Sequence, residues 1–224
     1  MRSVISRLII ATIISVLPLS LSHAADLYVT ITIDAGQNHD FSGGVVTLQP
    51  LFQFKPNQPK NITLEAVKIT QINRQFEPFI QVVNTNRTVE FPNLDSVAHH
   101  VYSFSRPNQF ELPLYQKGHH AVRRFSQPGV VIVGCNIHDW MISYLYVTDS
   151  PLFKKAEGNQ VIFYKIPLGE YQLQIWHPGL NTKTPIKNII LSKNITHTEI
   201  KPKAILRNII QPSALKSNFD EDGY

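Results

Sequence analysis

Hydrophobic residues along this chain recur mostly at every second position. Leu27, Val29, Ile31 and Ile33 alternate with Tyr28, Thr30 and Thr32, the period of a strand with one face buried. The alternation returns at Val45–Leu51, Phe79–Val83, His100–Phe104, Val130–Val133, Ile142–Val147, Val161–Ile166 and Tyr171–Ile175. Turn-forming pairs separate these runs: Gly43-Gly44, Pro56-Asn57, Pro107-Asn108, Pro128-Gly129, Gly158-Asn159 and Pro178-Gly179. Many short strands with such punctuation predict an all-β protein built from antiparallel sandwiches. Helix is expected only in short pieces, for example around Pro151–Ala156. The polar, acidic stretch Ser213–Tyr224 is expected to fray.

The first segment breaks the pattern. Arg2 and Arg7 precede an apolar run, Leu8–Leu21, that is short for a bilayer span, and Ser22 and Ala24 put small residues at the −3 and −1 positions. Residues 1–24 therefore read as a secretory signal peptide cleaved before Ala25, and the protein is expected in the periplasm. No second apolar run of membrane length follows, so the mature chain is not expected to span a membrane.

Composition narrows the rest. A chain of 224 residues that is 43% hydrophobic and 17% charged is globular rather than disordered, with room for one or two domains. Lys and Arg number 21 against 16 Asp and Glu, so the balance without Arg2 and Arg7 is +3. Arg123-Arg124 and Lys154-Lys155 are isolated pairs and no longer basic run occurs in the mature chain, which makes nucleic acid a poor partner. One cysteine excludes a disulfide scaffold. In an oxidising compartment a lone thiol is either buried in a core or bound to something.

The surroundings of Cys135 favour binding. Cys135, His138 and Met141 are spaced C-x2-H-x2-M, and with nine His and two Met in 224 residues chance gives this roughly 4 times in 10,000. Thiolate and thioether suit copper(I), and imidazole suits copper in either oxidation state. A trigonal site of one Cys and two His with a weak axial Met needs one more histidine, and His99-His100 upstream offers it.

Around those histidines the chain resembles the cupredoxins, the blue-copper family that includes plastocyanin and amicyanin. The family's strand motifs find counterparts in Phe76-Glu77-Pro78 and Val89-Glu90-Phe91-Pro92-Asn93, and its P-H-N-V motif falls on Ala98–Val101. The resemblance makes His99 the first copper ligand and puts His100 where the family has an Asn that ties the two ligand loops together. Neighbours on a strand point to opposite faces, so His99 is expected inward and His100 outward or bridging. The family often has an aromatic shortly before the Cys; here the approach is Val131-Ile132-Val133-Gly134. The ligand loop has the short, amicyanin-like length. Through its HHVYSF, FELPLY, CNIHDWM and YQLQIWHP stretches, the mature chain is also similar to bacterial proteins labelled methylamine utilization proteins, a label inherited from gene context.

A second unit is suggested by Ile166–Trp176, which resembles the signature of carboxypeptidase-regulatory-like and transthyretin-like sandwiches. Such modules open with two strands around an Asp-and-Gly turn, found here far upstream at Val29–Gln49 with Asp34-Ala35-Gly36. The expected architecture is a cupredoxin Greek-key β-sandwich at 62–149, inserted into a second small β-sandwich. That second unit is split between N-terminal strands at 25–61 and a C-terminal segment at 150–205, with a polar tail at 206–224.

The resemblance implies one type 1 copper ion held by His99, Cys135, His138 and Met141, and outer-sphere transfer of single electrons. No open position for substrate is evident, so the chain is not expected to be an enzyme. The partner would be an unidentified redox protein such as a c-type cytochrome or a dehydrogenase. Met141 could instead be core filler. Trp140 is either an apolar rim or core packing. His119-His120 is expected in a solvated loop rather than at a second metal, and His177 at a strand end. Two rival functions stay open: copper storage or delivery with the same residues, and a metal-free interaction module.

Overall fold

The computed structural model describes residues 24–33, 41–54, 66–180, 185–192, 195–202 and 209. Residues 1–23 of the expected signal peptide, the turns at Asp34-Ala35-Gly36 and Pro56-Asn57 and, but for residue 209, the tail at 206–224 lie outside the described residues. Two strands come first, β1 (Ala24–Ile31) and β2 (Val45–Pro50). Next are β3 (Val67–Lys68), β4 (Thr70–Ile72), β5 (Gln75–Glu77), β6 (Ile80–Asn84) and β7 (Arg87–Pro92). Then follow β8 (His99–Ser103), β9 (Phe110–Tyr115), β10 (His120–Phe125), β11 (Gly129–Cys135) and β12 (Ile142–Thr148). Five more complete the set: β13 (Leu152–Lys155), β14 (Gln160–Pro167), β15 (Gly169–Trp176), β16 (Ile186–Leu191) and β17 (Ile195–Ile200).

The protein is all-β, and the described residues contain no helix. The segment expected to turn as a short helix at Pro151–Ala156 is instead strand β13, antiparallel to β2. Two interactions favour the extended form. The Ser150 hydroxyl lies 2.7 Å from the Leu48 carbonyl and 3.0 Å from that of Leu152, and Phe153 packs into an apolar cluster that a helix would miss. The sheets are also less purely antiparallel than expected: β1–β17, β6–β12 and β3–β7 pair in parallel.

The strands sort into two sets with separate cores. Within β3–β12, sheets ordered β10-β7-β3 and β6-β12-β11-β8-β9 enclose Phe91, Val101, Phe125, Val131, Val133 and Leu145. The flanking strands form sheets β14-β1-β17 and β13-β2-β15-β16, whose core holds Leu27, Val29, Phe41, Leu48, Phe163, Tyr171 and Leu173. Strands β1 and β2 therefore lie on opposite sheets rather than pairing as a hairpin. Alternation explains β1 directly, since Ala25, Leu27, Val29 and Ile31 are the buried ones.

Strand β2 departs from alternation for a visible reason. Val45 and Thr47 are buried as well as Val46 and Leu48, because the second face of the sheet meets the other set of strands. There Val45, Ile80 and Val82 pack with Phe79, Tyr144, Tyr146, Phe153 and Trp176. The Trp176 ring stands 5.2 Å from Tyr146 and 6.0 Å from Tyr144, between centroids. Lys155 Nζ donates to the Ile80 carbonyl across the same seam at 3.2 Å.

Candidate metal centre

The sheet order places β8 beside β11, and with it the two segments that carry the candidate ligands. Cys135 ends β11 opposite Val101, and Gly134 opposite Tyr102. His99 opens β8 with its side chain wholly buried. From Cys135 the chain turns tightly back into β12. The Met141 N–H donates to His138 O at 2.9 Å, and the Cys135 N–H donates to Met141 O at 3.2 Å. The Asn136 N–H donates to His100 O at 3.1 Å, which fastens the loop to β8.

The side chains converge. Cys135 Sγ lies 3.6 Å from His99 Nδ1 and 3.7 Å from His138 Nδ1, and the ligand atoms of all three fall within 4.8 Å of one another. Metal bonds of about 2.3 Å to sulfur and about 2.0 Å to nitrogen put those atoms roughly 3.7 Å apart across a trigonal angle. The spacing therefore fits one ion shared by the three residues. Met141 is buried in the same apolar cluster as Cys135, and its backbone closes the loop onto the cysteine.

The tautomer of His99 follows from its other nitrogen. Asp95 Oδ2 stands 2.8 Å from His99 Nε2, so Nε2 carries a proton that donates to the carboxylate, and Nδ1 is the ring atom turned toward Cys135. Burial works against charge on His99, but hydrogen bonds with Cys135 and Asp95 outweigh it and raise its pKa. Burial also opposes the Cys135 thiolate. The His99 hydrogen bond and backbone groups of Ile137, His100 and His138 overcome this and lower the thiol pKa. At His138, burial and then the charges of His99 and Arg74 lower the pKa, which leaves the imidazole neutral and able to coordinate.

The remaining candidates separate cleanly. His100 is half-buried on the other face of β8, with Nε2 2.9 Å from Glu111 Oε1. His119 and His120 are exposed, and neither belongs to a metal-competent cluster among the described residues. His177 Nδ1 accepts the Gly179 N–H at 3.0 Å, as a residue at a strand end does in a turn. Trp140 is 43% exposed, with its ring 5.4 Å from that of His138 and its indole N–H donating to Arg74 O at 3.2 Å.

Sequence reasoning missed Asp95, Arg74 and Tyr102. A carboxylate four residues before a ligand histidine was the available signal for Asp95. Arg74 contributes its side-chain charge at His138 and, through its main chain, hydrogen bonds that no residue type reveals. The Tyr102 ring lies over Gly134, where an added Cβ would stand 3.2 Å from Tyr102 Cζ. A side chain at Gly134 would require that ring to give way by a few tenths of an ångström.

No protein-family model matches the sequence, and no curated protein is significantly similar to it. Among solved structures, the chain is similar to the Novel Purple Cupredoxin from Nitrosopumilus maritimus. The identity is 21% and the TM-score 0.35, over 37% of this chain and 99% of that one. A reduced amicyanin variant gives 18% identity and a TM-score of 0.36, over 39% of this chain and 86% of that one. The copper-containing nitrite reductase from Thermus scotoductus gives 23% and 0.38, over 46% of this chain and 26% of the reductase.

Proposed function

We propose that this chain is a blue-copper protein of the cupredoxin type, exported to the periplasm, that passes single electrons through a copper site which His99, Cys135 and His138 would hold with Met141 as a fourth, weak donor. The observation that carries the reading is the convergence of one thiol sulfur and two imidazole Nδ1 atoms within 4.8 Å. Copper bound there would supply a one-electron couple.

The protein's own part is to hold a shape. His99 and Cys135 sit on hydrogen-bonded strands, and His99, Cys135 and Met141 are at most 3% exposed. Such walls exclude water and keep the donors in place through a change of charge, so little rearrangement opposes transfer. Cys135 provides the strong thiolate, His99 and His138 the imidazoles, and Met141 a weak thioether. Four donors leave no place for a substrate, so catalysis is not part of this reading. His138 is the half-buried member, and with exposed Trp140 and Ile137 beside it in sequence it offers the route to a partner. That partner is a redox protein, a c-type cytochrome or a dehydrogenase; the methylamine utilization label names a gene neighbourhood rather than a substrate.

Adding copper(II) to the purified mature protein tests this. An intense blue or green charge-transfer colour that disappears in Cys135→Ser and His138→Ala supports the proposal. Tight copper(I) binding without colour replaces it with copper delivery. No copper binding at all leaves an interaction module.

A further inference from the structure

Beyond the β8–β11 pairing, the two segments that carry the candidate ligands share a link through a residue that is neither a ligand nor beside one in sequence. Arg74 lies at the turn between β4 and β5, with φ of 53° after Asn73 at 54°. Positive φ at a non-glycine residue costs free energy and persists where surrounding contacts hold it. Both main-chain groups of Arg74 are held. Its N–H donates to Asp95 Oδ2 at 2.8 Å, and its carbonyl accepts the Trp140 indole N–H at 3.2 Å. Asp95 Oδ2 also receives His99 Nε2, while Trp140 stands two residues beyond His138 in the ligand loop.

Asp95 is fixed from its other side too. Its N–H donates to Asn93 Oδ1 at 2.9 Å. Asn93 is fully buried and donates through Nδ2 to the carbonyls of Val97 and Tyr115. The carboxylate thus has one position available, facing His99.

We infer that the Arg74 turn braces the metal centre, and that Asp95 is a positioning residue which fixes the His99 tautomer and biases bound copper toward its oxidised form. The electrostatic part is Coulombic. A carboxylate held in a water-poor wall attracts a doubly charged ion more than a singly charged one, so it favours copper(II) over copper(I). The inference rests on the copper reading for its redox half, but the tautomer and the brace exist without metal.

Asp95→Asn keeps the shape and the acceptor toward Arg74 while removing the charge. Its ratio of copper(II) to copper(I) binding constants, read by chelator competition and by the reduction potential, is expected to fall on the order of tenfold, with the charge-transfer band retained. A ratio within twofold of wild type overturns the charge bias. Trp140→Phe keeps the ring beside His138 but loses the donor to Arg74. Copper release to a chelator is expected to speed up about tenfold at an unchanged potential, and an unchanged release rate overturns the brace. In metal-free wild-type protein, 15N shifts of the His99 ring should show a proton on Nε2, and an unprotonated Nε2 overturns the Asp95 assignment. Absence of copper binding by wild type would sink the electron-transfer reading while that metal-free measurement still decides the role of Asp95.

Discussion

The two sets of strands bury different things. The core of the flanking strands β1, β2 and β13–β17 is apolar almost throughout, with Tyr171 as its one large polar-tipped member and that hydroxyl donating to Pro167 O at 2.7 Å. The core of β3–β12 buries Gln71, Asn93, Asp95, His99, Ser103 and Ser143 alongside its hydrophobic residues. Burying polar groups costs free energy unless they are hydrogen-bonded. The expense is concentrated around one constellation: Asn93 holds Asp95, and Asp95 holds His99. One core is built of apolar packing, while the other encloses a hydrogen-bonded polar constellation.

That contrast predicts separable losses. Cys135→Ser should have the largest effect on the centre, abolishing the charge-transfer band altogether, with the far-ultraviolet circular dichroism of both sheet sets unchanged. Leu173→Ala, in the fully buried core of the flanking strands, should cost about 2–5 kcal/mol by denaturant unfolding and leave the copper spectrum as in wild type. If Leu173→Ala altered the spectrum, the two regions would not be independent in the way their cores suggest.

The same contrast explains what could be read from sequence. Strands β1 and β15 were legible because the flanking core is apolar and one-sided, so alternation maps directly onto burial. Strand β13 was misread because Leu152-Phe153-Lys154-Lys155 has no period of two. It is extended because it pairs with β2 and sends Phe153 into the seam. In β9 and β10, Leu114 and Val122 face outward at 61% and 54% exposure, so hydrophobicity marks no buried face there. The pairing of Cys135 with His138 was legible from residue type and spacing, and the choice of His99 over His100 came from the resemblance to the cupredoxins. Asp95 and Arg74 were hidden, since their roles depend on a turn and a loop brought together by the fold.

Smaller effects test the seam and the interiors. Trp176 packs against Tyr144 and Tyr146 where the two regions meet. Trp176→Ala should cost about 2 kcal/mol and split thermal unfolding into two transitions in calorimetry; a single sharp transition would show that other contacts couple the regions. Each core also holds a tyrosine raised to about 12, Tyr115 in one and Tyr171 in the other. Burial is the main cause in both, and the Cys135 charge adds to it at Tyr115 alone. The folded state therefore keeps these protons longer than an unfolded chain with a pKa of about 10. Their contribution to stability is complete below pH about 10 and is lost as the pH rises toward about 12. In a phenolate absorbance titration, Cys135→Ser should lower the Tyr115 step and leave the Tyr171 step in place. The smallest effect belongs to exposed His119: His119→Ala should change neither stability nor copper binding beyond about 0.5 kcal/mol.

The central claim is that His99, Cys135 and His138 act together on one copper ion. X-ray absorption at the copper edge of the loaded protein tests it most directly. The account predicts one short thiolate sulfur and two imidazole nitrogens around a single copper, with the sulfur lost in Cys135→Ser. A copper shell of nitrogen and oxygen alone in the wild-type protein would contradict it.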